Sequence, residues 1–110
     1  MNLTDKELEL MAVLWSHGKA MTTSEIYDAS PNRTWADMTI YTMLKTLIKK
    51  KAVAIHDYKP TATVHARTYK AIISPEEYAM KKVSKMMKTG VRVHIPTLVE
   101  GLMAMNEKDW

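Results

Sequence analysis

The apolar positions of residues 35–51 fall on one side of a helix. Ile40, Met43, Leu44, Leu47 and Ile48 recur at i, i+3, i+4, i+7 and i+8, the spacing of a buried helical face. Met38, Thr42, Lys45, Thr46 and Lys49 form the opposite face, with Thr39 and Tyr41 on its flanks. No acid follows Asp37 in this stretch, so nothing on the outer face repels a phosphate backbone. Lysine can pair with phosphate or guanine, and Thr, Tyr and Met can touch base edges and the thymine methyl. The pattern predicts a DNA-recognition helix. The competing reading is an amphipathic helix whose outer face is merely solvated.

The elements around it follow from capping residues and changes of period. Thr4 and Glu7 make a capping box that opens a helix to about His17, with Gly18 as its left-handed stop. Its main apolar face is expected to be Leu8, Met11, Ala12 and Trp15, with Leu10 and Leu14 covered from another side. Thr22 and Glu25 repeat the box and open a short helix that Ser30-Pro31-Asn32 ends. A short helix, a turn plugged by Trp35, and a long helix from about Ala36 make a helix-turn-helix, with Arg33 free to reach a phosphate. After Lys51, the stretches Ala52–Tyr58 and Ala66–Ile73 read as strands around a turn-like tip from Lys59 to Thr63. That hairpin is a wing carrying His56, Lys59, His65, Arg67 and Lys70, placed to lie along a phosphate backbone. The alternative is a plain solvated hairpin.

Ser74, Pro75 and Glu77 start the next helix, which runs to about Thr89 and stops at Gly90. Ala79, Met80, Val83, Met86 and Met87 form its seam, and lysines fill its other faces. Val91–Ile95 reads as extended, and a capping box at Thr97 and Glu100 opens a last helix bearing Leu98, Leu102 and Met105. A winged-helix core has no use for either seam. Met80, Val83, Met87, Leu98, Leu102 and Met105 are therefore expected to form a dimer interface. The fold class is mainly α with a small β-hairpin: a winged helix-turn-helix over residues 1–73 and C-terminal dimerisation helices over residues 74–110.

Charge sharpens this division. The net charge of +4 is distributed as −2 over residues 1–34, +5 over residues 35–73 and +1 over residues 74–110. The middle third, which holds the recognition helix and wing, is thus the electropositive surface expected for a polyanion partner. Composition excludes several chemistries. With no cysteine there is no disulfide, thiolate metal site or cysteine nucleophile. The histidines His17, His56, His65 and His94 are scattered, without zinc-ligand spacing. No Gly-rich phosphate loop or nucleophile elbow is present. Ten methionines admit soft-metal sensing as a minor alternative, but most fall on core or seam faces. No cofactor, metal or catalytic site is expected, and the chain is not expected to be an enzyme. Apolar runs are too short to span a membrane. The N-terminus starts an acidic helix rather than a signal peptide, so a cytoplasmic protein is expected.

These residues, taken in order, resemble a known family. Leu3-Thr4, Leu14-Trp15, Thr22 with Glu25-Ile26, Trp35 with Thr39-Ile40 and Thr42, Leu44 with Leu47 and Lys49-Lys50, Arg67 with Tyr69, and Ser74 with Glu76, Glu77 and Tyr78 are similar to the penicillinase-repressor family over about residues 3–78. The resemblance implies dimeric winged-helix repressors of bacterial antibiotic-resistance or copper-transport genes. It places Thr39 and Thr42 where that family has recognition-helix threonines, and Trp35 at its helix entry. Thr46 stands where the family has arginine, Lys51 where it has glycine, and the wing tip lacks its Gly-Arg. The Asn-Phe cleavage site of the β-lactam branch is absent because there is no Phe, and so are the cysteines of the copper branch. The inducing signal, small molecule or protein, stays open.

The expectation is a DNA-binding transcriptional regulator, a repressor that binds an inverted-repeat operator in double-stranded DNA as a homodimer. The alternative is a winged-helix interaction module whose outer α-helical face contacts a protein and no DNA.

Overall fold

A computed structural model describes residues 1–60 and 65–105, with side chains through Asp57 and again from Ala66. The order of elements is α1 (Asp5–His17), α2 (Thr23–Asp28), α3 (Thr39–Lys49), β1 (Val53–Pro60), β2 (His65–Ala71), α4 (Pro75–Lys88) and α5 (Ile95–Ala104). Two units are compact in themselves, Met1–Tyr78 and Ala79–Trp110. The first turn of α4 belongs to the first unit because Tyr78 packs against its core. The Tyr78 hydroxyl also accepts a 3.1 Å hydrogen bond from the backbone N–H of Leu3.

The capping boxes expected for α1 and α2 form. Thr4 and Thr22 each accept from the backbone N–H of the glutamate three residues on, and each glutamate carboxylate accepts from the capping residue's own N–H. The buried face of α1 differs from the expected one. Leu10, Met11 and Leu14 are fully buried beside Glu7, whereas Leu8 and Trp15 are half-buried and Ala12 is exposed. Glu7 sits on the inner stripe, which hid the true face from a reading of apolar residues alone. Trp15 is anchored as expected of a core residue, its Nε1 donating to the Ile73 carbonyl at 2.8 Å.

Glu7 reaches that face because Lys50, at the end of α3, meets it there. Lys50 Nζ donates to Glu7 Oε1 at 2.6 Å and to the Asn2 carbonyl at 2.8 Å. Burial alone pushes the Glu7 carboxyl up. The hydrogen bond from Lys50, those from Thr4 and the lysine charge outweigh it and hold the group below its ordinary value of 4.5. A depressed folded value contributes stability above the unfolded value, and that stability is lost as pH falls through the folded one. Lys50→Met is therefore expected to cost about 2–3 kcal/mol at pH 7, because a carboxylate only 6% exposed loses its charged donor. The deficit should shrink as pH falls from 4.5 towards the depressed folded value, below which the carboxyl is protonated with or without its partner. Urea unfolding of both proteins at pH 7 and pH 4 reads this, and a deficit equal at both values would refute the pairing.

The inner face of α3 is the predicted one: Ile40, Met43, Leu44 and Leu47 are buried and Ile48 is half-buried against the same core as Trp35 and Ile26. The helix starts three residues later than expected, at Thr39 rather than Ala36. Ala36–Met38 instead forms a turn, with Thr39 N–H donating to the Ala36 carbonyl at 2.9 Å. Its C-terminus closes as a Schellman motif: Ala52 N–H donates to Leu47 O at 2.9 Å and Lys51 N–H to Ile48 O at 3.0 Å. That motif needs a left-handed residue, and Lys51 supplies it at φ 63°. A side chain there costs about 1–2 kcal/mol that glycine would not incur.

The strands pair antiparallel from Val53↔Ala71 to Pro60↔His65, so β1 extends two residues further than expected and the hairpin reaches Pro60. A bulge between Ile55 and Asp57 leaves His56 as the unpaired extra residue. Thr68 Oγ1 secures the bulge by donating to the Asp57 carbonyl and accepting from the Asp57 N–H, both at 3.0 Å. Reciprocal bonds between Met21 and Tyr69 of 2.9 and 2.8 Å tie the hairpin to the extended segment before α2.

Within the first unit, α4 begins at its Ser74–Glu77 box as expected. The start of α5 differs. Its N-cap is His94, with Pro96 in the first turn, so Thr97 and Glu100 lie inside the helix and do not cap it. Proline suits that first turn, having a preset φ and no N–H to leave unpaired. Thr97 Oγ1 instead shares a 2.6 Å hydrogen bond with His94 Nδ1. Met105 is not carried by the helix as expected: it caps the C-terminus in extended conformation. No helix among the described residues is long and apolar enough to cross a membrane.

Candidate nucleic-acid interface

Three links position the turn that leads into α3. Glu9 on α1 accepts from Thr34 N–H at 2.9 Å and Thr34 Oγ1 at 2.7 Å, and these bonds hold its carboxyl below the usual range. The Tyr27 hydroxyl donates to the Asp37 carbonyl. Burial, with Tyr41 and Asp37 nearby, pushes the phenol up, so it stays a neutral donor. Trp35 plugs the turn at 3% exposure, its ring 5.9 Å from that of Tyr27. Trp35 is the plug expected from the sequence, whereas Glu9 and Tyr27 were missed. They carry no local signal, because the bonds they make run to the turn before α3.

Arg33 is corrected by the same turn. It is not free for phosphate. Its Nε donates to Asp37 Oδ1 at 3.0 Å and its Nη1 to the Ser30 carbonyl at 3.1 Å, while the guanidinium lies 5.0 Å from the Tyr27 ring centre and 5.5 Å from that of Trp35. Arginine stacks on aromatic faces readily, and here two rings and a carboxylate hold it.

Beyond the turn, Met38, Thr42, Lys45 and Lys49 are exposed at spacings of four, three and four residues, one continuous stripe opposite the buried face. Tyr41 is exposed beside it and Thr39 is half-buried at the start of the helix. Thr46 is half-buried, and its hydroxyl donates back to the Thr42 carbonyl at 3.0 Å, so that donor is occupied within the helix. Of the three lysines that close α3, Lys49 remains on the outer face, Lys50 is turned to Glu7, and Lys51 is exposed at the left-handed stop.

On the wing, His56, Arg67 and Lys70 are exposed. The side chains of Lys59 and His65, and the tip at 61–64, lie outside the described residues. Among the described residues, no group of three or more His, Asp or Glu side chains could hold a metal ion. Among the described residues, this surface offers cations, hydroxyls and apolar tips aimed at solvent. It is chemistry for recognition.

In the second unit, Met80, Val83, Met87, Leu98 and Leu102 line one open apolar groove of about 640 Å³ together with Val99. Met105, expected on the same seam, is not among the lining residues. No residue of α4 or α5 is buried.

The chain is similar to known proteins in sequence and in fold. The penicillinase repressor of Bacillus licheniformis is 44% identical over 54 residues, 49% of this chain and 42% of that protein's length. The match thus spans less than half of that relative. The solution structure of Bacillus licheniformis BlaI, its monomeric form in complex with the blaP half-operator, is similar at a TM-score of 0.54 and 35% identity, covering 71% of this chain and 89% of that one. The family model for the penicillinase repressor matches residues 3–109, past Tyr78, where the resemblance in the sequence weakened. With nearly its whole length matched, the chain belongs to the penicillinase repressor family.

Proposed function

We propose that the chain is a cytoplasmic transcriptional repressor that binds an inverted-repeat operator as a homodimer and blocks the promoter sterically. The observation that carries this is the outward stripe of Met38, Thr42, Lys45 and Lys49 on a helix whose other face is locked in the core. Family membership supports it, as does the likeness to a relative solved with a half-operator. Nothing in the reading calls for a cofactor or covalent chemistry. The dimer is part of the proposal. No residue of α4 or α5 is buried, and a second copy covering the groove would bury its apolar lining.

A mobility-shift titration of duplex DNA at two salt concentrations tests the reading. Binding should weaken steeply with salt, as counterions return to phosphates. On the wing, Arg67→Ala or Lys70→Ala should weaken specific and non-specific duplex about equally and lower the salt slope by about one for each cation withdrawn from a phosphate. Loss of sequence preference with an unchanged slope would contradict a phosphate role. No salt-dependent duplex binding at all would assign the α3 face to a protein partner instead.

A further inference from the structure

We infer that Met38, flanked by Tyr41, reads a thymine C5-methyl group, so that the operator half-site contains a thymine this chain recognises through its methyl alone. The inference rests on the repressor reading above. Met38 is 78% exposed and Tyr41 53% exposed. Met38 precedes α3 but keeps helical backbone angles, φ −69° and ψ −19°, so it stands in line with Thr42 one turn further on. Single exposed apolar side chains are common and need no explanation. What distinguishes Met38 is its place at the leading end of the solvent stripe, ahead of Thr42, Lys45 and Lys49. In helix-turn-helix readers it is the N-terminal residues of the recognition helix that contact base edges.

The chemistry narrows the target. A thioether donates no hydrogen bond and accepts only weakly. The feature of a major-groove edge that it complements is the apolar methyl of thymine. Its unbranched, polarisable chain can settle against that methyl without a fixed angle of approach. The structure also holds the residue in place: Tyr27 donates to the carbonyl of Asp37, the residue before it. Arg33 pairs with the Asp37 carboxylate, so the acid beside Met38 is locally compensated where it would otherwise face phosphate.

The test uses duplexes that the intact chain retains from a random-sequence pool, resynthesised with deoxyuridine replacing each thymine in turn. Each replacement removes one methyl and keeps the base pair. The wild-type chain is expected to lose about fourfold in affinity at one position per half-site, the worth of one methyl-sized group taken from water. Met38→Ser should bind the thymine and deoxyuridine duplexes equally, and Met38→Leu should restore the preference. A wild-type chain indifferent to every replacement, or Met38→Ser showing the same fourfold loss, overturns the assignment and leaves the repressor reading standing. A chain that retains no duplex from the pool overturns the repressor reading and this assignment with it.

Discussion

Ile40→Ala is expected to lower the free energy of unfolding by about 2–5 kcal/mol, the range for truncating a fully buried aliphatic side chain. Ile40 is wholly inaccessible on the inner face of α3, packed with Leu44, Leu47 and Trp35 in one core. Thr42→Ala, two residues along the same helix, should change stability by no more than about 0.5 kcal/mol, because its side chain faces solvent. Operator affinity should show the reverse: Thr42→Ala and Lys45→Ala each lose about 1–3 kcal/mol if they make good base contacts. Ile40→Ala, measured at a temperature where it is folded, should bind nearly as wild type. Urea unfolding and mobility shift on the same three proteins read both quantities. If Thr42→Ala and Lys45→Ala bind operator like wild type, the stripe is a solvated surface. If Ile40→Ala loses affinity as they do without losing stability, the two faces have been assigned the wrong way round.

That contrast shows what the sequence made legible. The two faces of α3 could be read because a 3.6-residue period sorts side chains without knowledge of what they pack against. Capping boxes at Thr4, Thr22 and Ser74 were equally local, each a hydroxyl and a glutamate three residues apart. Errors arose where a distant partner decides. Ala36–Met38 is compatible with helix, but the bonds from Tyr27 and Arg33 to Asp37 hold it as a turn. Arg33 looked free because its stack on Tyr27 and Trp35 exists only in three dimensions. Glu7 was read as a cap alone, and it is that as well as the partner of Lys50, 43 residues away. Thr97 and Glu100 have the spacing of a capping box, yet the helix had already started two residues earlier, with Pro96 in its first turn. His56 gives no sign of being a bulge, since strand alternation does not announce an extra residue. The candidate interface was therefore legible where it is a helical face and illegible where it is a turn held by tertiary bonds.

Leu98→Asp combined with Leu102→Asp is expected to split the proposed homodimer and to weaken operator binding by about 10²–10⁴-fold, the gain that tethering two modest readers supplies. Both side chains line the apolar groove of the second unit. Two-fold symmetry would bring four carboxylates into one seam, where a charge taken out of water is costly unless paired. Lys82 borders the same groove, so a single aspartate per copy could find a cation; two per copy outnumber it. The first unit, with its own core, should keep its fold, and binding to a single half-site should survive at the affinity of one reader. Sedimentation gives the mass and mobility shift on whole and half operators gives the affinities. A wild-type chain that stays monomeric at high micromolar concentration would remove the dimer from the proposal. A double variant that sediments as a dimer would place the interface elsewhere. A variant that becomes monomeric yet binds the whole operator as tightly as wild type would show that tethering contributes nothing, and α3 would then have to supply all the affinity from one half-site.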